Sequence, residues 1–97
     1  MFLITAGKGF QITFENGWTV SVQFGSGNYC ENRWTRKDLF DLYDPLSHDV
    51  SSKDAEVTRW YGEKDDMDEP TGYMSPDDVA KYIAKTAKLE AINDTRA

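Results

Sequence analysis

A single cysteine and a single histidine occur among 97 residues. That excludes an intrachain disulfide and any zinc site built from about four Cys and His ligands of this chain. No apolar run approaches the roughly 18 residues of a membrane span, and Met1 to Thr5 has neither the basic start nor the apolar length of a signal peptide. The expectation is a cytoplasmic protein with no membrane partner. Aliphatic and Phe residues are also sparse: Leu, Ile, Val and Phe together number 19, close to the roughly 20% level below which charged chains stay disordered. Three Trp and five Tyr offset that scarcity with large buriable surfaces, and a net charge of -6 is too small to hold the chain open. One thin-cored domain spanning residues 1–97 follows.

The charge is concentrated in the middle. Between Asp38 and Asp78 stand 13 acidic side chains against Lys53, Arg59 and Lys64, a net -10, while the segments before and after each carry +2. Such a field repels phosphate backbones and draws basic surfaces inward. An exposed acidic loop that merely solvates the fold would give the same composition.

Two segments have a definite pattern. Phe10, Ile12 and Phe14 alternate with polar residues, as do Trp18, Val20, Val22 and Phe24, which is the period of half-buried strands. Residues opposite one another in a hairpin share a face, so Phe14 must oppose Trp18, Ile12 must oppose Val20 and Phe10 must oppose Val22. A two-residue Asn16-Gly17 turn would set every apolar residue against a polar one. The loop is therefore Glu15-Asn16-Gly17, with Gly17 at positive φ. Near the other end, Ser75-Pro76-Asp77-Asp78-Val79 has the order of a capped helix start, with Met74 placed to pack on Val79. Val79, Tyr82, Ile83, Thr86 and Leu89 then form one stripe, and Lys81, Lys85 and Lys88 fall elsewhere.

Weaker signals fill the rest. Phe2 to Thr5 reads as an edge strand, Glu56 to Tyr61 as a strand ending at Gly62, and Gly25 to Tyr29 and Gly62 to Gly72 as loops. Thr35 to Tyr43 suggests two helical turns stopped before Pro45. The expected fold is α+β, an antiparallel sheet of three to four strands with a C-terminal helix packed on one face.

Few residues offer chemistry. Cys30 and His48, with Asp44 or Asp49 as orienting acid, are the only route to a thiolate nucleophile, and no strand-turn-helix elbow surrounds Cys30. Glu63, Asp65, Asp66, Asp68 and Glu69 crowd together, but Pro70 and the late Gly72 break the spacing of a calcium loop. Adjacent solvated carboxylates share one environment and make a poor acid–base pair. Gly25-Ser26-Gly27-Asn28 leads into Tyr29-Cys30-Glu31, not into a helix with a phosphate-binding Lys, so turn glycines are expected. Arg33-Trp34-Thr35-Arg36-Lys37 joins cations to a stacking surface, the chemistry of single-strand binding, yet the acidic middle follows directly.

The run Lys8-Gly9-Phe10-Gln11-Ile12-Thr13-Phe14-Glu15-Asn16-Gly17-Trp18-Thr19-Val20-Ser21-Val22-Gln23-Phe24-Gly25, with Gly27-Asn28-Tyr29-Cys30-Glu31-Asn32, resembles a group of small proteins encoded mostly by bacteriophages and prophages. Asp54 to Val57 with Trp60, and Gly72-Tyr73 before the Ser75 helix start, are similar too. The group has no established activity, so the resemblance supplies no functional residue; it implies a phage accessory protein acting on a host factor. The expectation is thus a non-enzymatic, acidic protein-binding module with no cofactor, no metal and no catalytic residue. Its expected partner is a host protein with a basic surface, met by Asp41, Asp44, Trp60, Asp65, Asp66, Asp68 and Glu69. The alternatives are a small assembly protein forming a homodimer and, further off, a nucleic-acid binder or a Cys30/His48 enzyme.

Overall fold

The alternation of apolar residues dictates the sheet. A computed structural model of the chain, describing residues 1–5, 8–34, 51–63 and 69–92, has strands β1 (Phe2–Ile4), β2 (Gly9–Thr13), β3 (Trp18–Gln23), β4 (Ala55–Tyr61) and β5 (Thr71–Met74), followed by helix α1 (Pro76–Ala87). The strands form one antiparallel sheet in chain order, β1-β2-β3-β4-β5. The fold is α+β, with α1 lying on β3 and β4.

The hairpin has the register required by parity. Phe10 faces Val22 and Ile12 faces Val20, and the Phe14 N–H donates to the Trp18 carbonyl at 2.9 Å. Gly17 sits at φ +89°, closing the three-residue loop. A Cβ there would also lie 2.8 Å from the Tyr61 ring.

The described residues carry five strands where the sequence suggests three or four. The additional one, β5, falls partly in the stretch read as a loop from Gly62 to Gly72. A bulge hides it: Ala55 pairs with Met74 but Val57 pairs with Thr71, so β5 has one residue more than its partner and no clean alternation. Tyr73, in that bulge, has φ +57°. The helical turns expected over Thr35 to Tyr43 lie outside the described residues.

Helix α1 starts as its sequence directs. Ser75 is the N-cap, its hydroxyl accepting from the Asp78 N–H at 3.2 Å, and Pro76 opens the first turn. Val79, Tyr82 and Ile83 pack on a core of Val20, Val22, Ala55 and Val57, joined by Phe10, Phe14, Phe24 and Met74. Burying Val20 and Val57 completely contributes about 1.5–3 kcal/mol each. Leu89, counted in the stripe, lies beyond the helix end at Ala87.

Arg59 shares this inner face, pairing with Val20. Its guanidinium stands 5.1 Å from the Tyr82 ring centre and 5.8 Å from that of Trp18, and Nη1 donates to Thr86 Oγ1 at 3.3 Å. Thr86, fully buried, donates its own hydroxyl hydrogen bond to the Tyr82 carbonyl at 2.8 Å. A cation on an apolar face is tolerated here because two aromatic rings and a hydroxyl receive it.

The helix end is held by the hairpin. The Asn16 side-chain amide spans the carbonyls of Thr86 (3.0 Å), Ala87 (3.3 Å) and Leu89 (2.7 Å), while its Oδ1 accepts from the Trp18 N–H at 3.0 Å. Thr86 and Ala87 lie in the last turn of α1, where carbonyls lack an i+4 partner within the helix, and Leu89 follows directly.

Three substitutions test this account in chemical denaturation. Asn16→Ala should cost about 1–3 kcal/mol by stripping donors from half-buried carbonyls. Asn16→Asp should cost more, because it sets a carboxylate against the negative end of the helix dipole. Gly17→Val should cost at least about 1–2 kcal/mol through left-handed strain, with the Tyr61 contact added. Unchanged midpoints would remove the clasp and the turn, respectively, from the explanation of the fold.

Candidate partner-binding surface

Between β3 and β4 the described chain makes a coil, Phe24 to Trp34, held by its own backbone turns and by carboxylates. Glu56 on β4 accepts from the Tyr29 N–H (3.1 Å) and from Asn28 Nδ2 (3.3 Å). Asp54 accepts from the Glu31 N–H at 2.6 Å, and Glu31 in turn accepts from the Lys53 N–H at 3.3 Å. Asn32 Nδ2 donates to the Phe24 and Ser51 carbonyls, both at 2.9 Å.

This coil displays aromatic rings around a cation. Arg33 lies 4.2 Å from the Tyr29 ring centre and 4.9 Å from that of Trp34. Trp34 is 85% exposed, and Tyr29 is exposed as well. β5 runs alongside: the Tyr73 N–H donates to the Tyr29 carbonyl at 2.9 Å, and Gly72 is seated so closely that a Cβ would lie 2.6 Å from that of Tyr29. Tyr73 is itself exposed. A bulky residue at positive φ is strained, by about 1–2 kcal/mol, and here the bulge presents its ring to solvent.

The residues singled out from sequence fare differently. Asp41, Asp44, Asp65, Asp66 and Asp68 lie outside the described residues. Glu69 is exposed on the approach to β5. Trp60 is only 6% exposed and offers a partner almost no surface. Alternation along β4 explains this: Val57, Arg59 and Tyr61 take the helix side, whereas Glu56, Thr58 and Trp60 take the other. There Trp60 borders a cavity of about 300 Å³ lined by Thr5, Gln11, Ser21, Gln23, Glu56, Thr58 and Pro70. Its polar groups largely serve one another: Thr5 donates to Gln23 Oε1 at 2.9 Å, and Gln23 Nε2 donates to Ser21 at 3.1 Å. A smaller cavity, about 220 Å³, lies where α1 begins, lined by Val22, Phe24, Ala55, Met74, Pro76 and Val79 together with Ser52 and Asp54.

Of the catalytic and phosphate-loop candidates, Cys30 and the glycine-containing turn lie within the described residues. Cys30 is 1% exposed, and its thiol points to the Gly25 carbonyl at 3.6 Å. His48 lies outside the described residues. The glycine-containing turn spends its amides internally, Gly25 N–H on Asn28 Oδ1 (3.1 Å) and Gly27 N–H on the Arg33 carbonyl (2.9 Å), so these groups do not cradle a phosphate. Among the described residues no three His, Cys, Asp or Glu side chains gather in a way that could hold a metal ion. Nor is any described helix long and apolar enough to cross a membrane.

The part of the surface that sequence reasoning missed is the contribution of Tyr29 and Tyr73. Arg33-Trp34 stood out as a stacking pair, but Tyr73 joins it only through β5, the strand concealed by its bulge.

Burial of Cys30 has a direct consequence. The native protein should resist alkylation by iodoacetamide and react fully once unfolded in guanidinium, since a thiol reacts in proportion to its access and thiolate character. Rapid modification of the folded chain would contradict the seated thiol.

No family model matches the chain, and no curated protein and no solved structure is significantly similar to it.

Proposed function

We propose that this chain is a small, acidic, non-enzymatic protein-binding module, and that Tyr29, Arg33, Trp34 and Tyr73 form the centre of its contact surface. The observation that carries the reading is the exposure of Trp34 beside a stacked arginine. Trp, Tyr and Arg are the residue types that dominate interface energetics, because they bury large area and still satisfy polar partners. A tyrosine held in a strained conformation with its ring in solvent is costly for folding alone, which favours a role outside the fold.

The nearby acids narrow the partner. Glu31, Asp54 and Glu56 adjoin the platform, and Glu69 precedes β5. Together with the -10 balance between Asp38 and Asp78, they disfavour a phosphate backbone and favour a basic protein. The resemblance of the hairpin region to phage-encoded proteins supports a host protein in that place.

The test is capture from bacterial lysate, with and without nuclease treatment, by immobilised wild type, Trp34→Ala and Tyr73→Gly. Trp34→Ala should weaken retention of the specific partner by about 30-fold, the effect of a hot-spot residue worth about 2 kcal/mol, without changing thermal stability. Tyr73→Gly should also weaken it while leaving the fold at least as stable, because relief of left-handed strain offsets the entropy that glycine adds to the unfolded chain. Retention should fall steeply between low and high salt. Capture indifferent to both substitutions would refute the platform; capture abolished by nuclease would make the ligand a nucleic acid.

A further inference from the structure

The opposite edge of the sheet presents a different chemistry. Met1 and Thr13 exchange both backbone hydrogen bonds at 2.8 Å, and the Thr5 N–H donates to the Gly9 carbonyl at 3.0 Å. Antiparallel pairs alternate between bonded and non-bonded, so Leu3 bonds inward to Gln11 while Phe2 and Ile4 turn their N–H and C=O groups away from the sheet. Sheet edges of this kind are templates for a further strand unless blunted by charge, Pro, a bulge or a covering segment. β1 has no charged residue, no proline and no bulge. Met1 (82%), Phe2 (74%), Leu3 (50%) and Ile4 (75%) are all exposed. Helix α1 covers β3 and β4, so the helix-side strip of Phe2, Ile4, Phe10 and Ile12 runs out to the edge with its outer two members in solvent.

We propose that β1 pairs with β1 of a second copy across a two-fold axis at Leu3, joining two five-stranded sheets into one of ten strands. The register follows from β1 itself. A two-fold antiparallel pair requires partner numbers of constant sum, and outward-turned residues must meet outward-turned residues, so the sum is even. A sum of six sets Phe2 against Ile4 of the second copy and Ile4 against Phe2 of the second copy, forming four hydrogen bonds that use every outward group of β1. Leu3 then meets its own counterpart as a close, non-bonded pair. Shifting the register by two in either direction pairs only one of the two outward residues within the strand. The same register puts Phe2 and Ile4 of both copies on the helix side, where they close the apolar strip between the two helices, and puts the two Leu3 side chains on the other face.

β1 has no charged side chain, and the charged residues of β4, Glu56 and Arg59, stay far from this contact. The two β4 strands would be seven strand spacings apart, roughly 34 Å at about 4.8 Å each, well beyond the Debye length of about 8 Å at physiological salt. The platform at Tyr29 and Trp34 lies toward the β5 side, so the pairing neither uses that surface nor depends on its proposed role.

Cysteine scanning reads the register directly. In a Cys30→Ala background, Leu3→Cys should form a disulfide-linked dimer under mild oxidation, because non-bonded antiparallel partners place their Cα atoms about 4.5 Å apart. Phe2→Cys and Ile4→Cys should not, each being about 8 Å or more from its own counterpart and outside disulfide range. In the native Cys30 background, sedimentation equilibrium should show a concentration-dependent dimer for wild type. Ile4→Pro should be a monomer with an unchanged far-ultraviolet spectrum, since it removes an N–H that no neighbour within the sheet uses. A monomeric wild type over the whole concentration range, preferential crosslinking at position 2 or 4, or a dimer insensitive to Ile4→Pro would each overturn the proposal. Binding of a partner through Trp34 would survive any of those results.

Discussion

The Asn16 amide fixes how the two halves of this protein meet. It sits in the β2–β3 turn, yet its donors serve the carbonyls at the end of α1, some seventy residues later. The same corner is reinforced by Trp18 Nε1 donating to the Glu90 carbonyl at 3.1 Å and the Tyr61 hydroxyl donating to the Ile92 carbonyl at 3.1 Å. A helix of twelve residues is marginal alone in water. Here its start is capped by Ser75 and its end by a loop of the sheet, so packing needs to supply less of its stability. Its position over β3 and β4 follows, and with it the burial of Val20 and Val57 and the exposure of Phe2 and Ile4 on β1.

Sequence patterning specified the parts whose determinants are local. Parity alone gave the register Phe10–Val22 and Ile12–Val20 and the positive φ of Gly17, because a one-residue slip would have turned every apolar side chain to the wrong face. The Ser75 cap was legible for the same reason: donor, acceptor and first-turn proline lie within four residues. The end of α1 was not, since the group that terminates it is far away in sequence, and the apolar Leu89 continued the stripe past the true end. β5 escaped notice because its bulge breaks the alternation that marks a strand. Of the candidate contacts, Trp60 misled most. It was expected among the partner contacts, while its parity on β4 sends it to the face opposite Val57 and Arg59.

Arg59 illustrates a limit of patterning of another kind. By alternation it belongs on the apolar face, where hydropathy would not place it. The aromatic faces of Tyr82 and Trp18 and the Thr86 hydroxyl make that site acceptable. The cation also lies near the C-terminal half of α1, the end at which the helix dipole favours positive charge. Its selection therefore depends on three elements at once, β3, β4 and α1, and no local window of sequence contains them together.

The acidic composition also divides into two roles. Glu31, Asp54 and Glu56 are not idle charge, because they accept amides that help give the Phe24 to Trp34 coil its shape. A carboxylate accepting from a backbone N–H makes a stronger bond than a neutral acceptor, and it can organise a coil that has too few apolar residues to pack. What it organises is the display of Tyr29, Arg33 and Trp34. The coil also lies beside β5 through the bond from Tyr73 to Tyr29, so that edge of the sheet has a neighbour, while the Phe2 and Ile4 backbone groups on the opposite edge face away from the sheet. A sheet with one occupied and one open edge can meet two different partners without competition between them. In the two proposed contacts, acids close to the platform would favour a basic surface, while β1, with no charged side chain of its own, would meet a second copy through backbone and apolar groups.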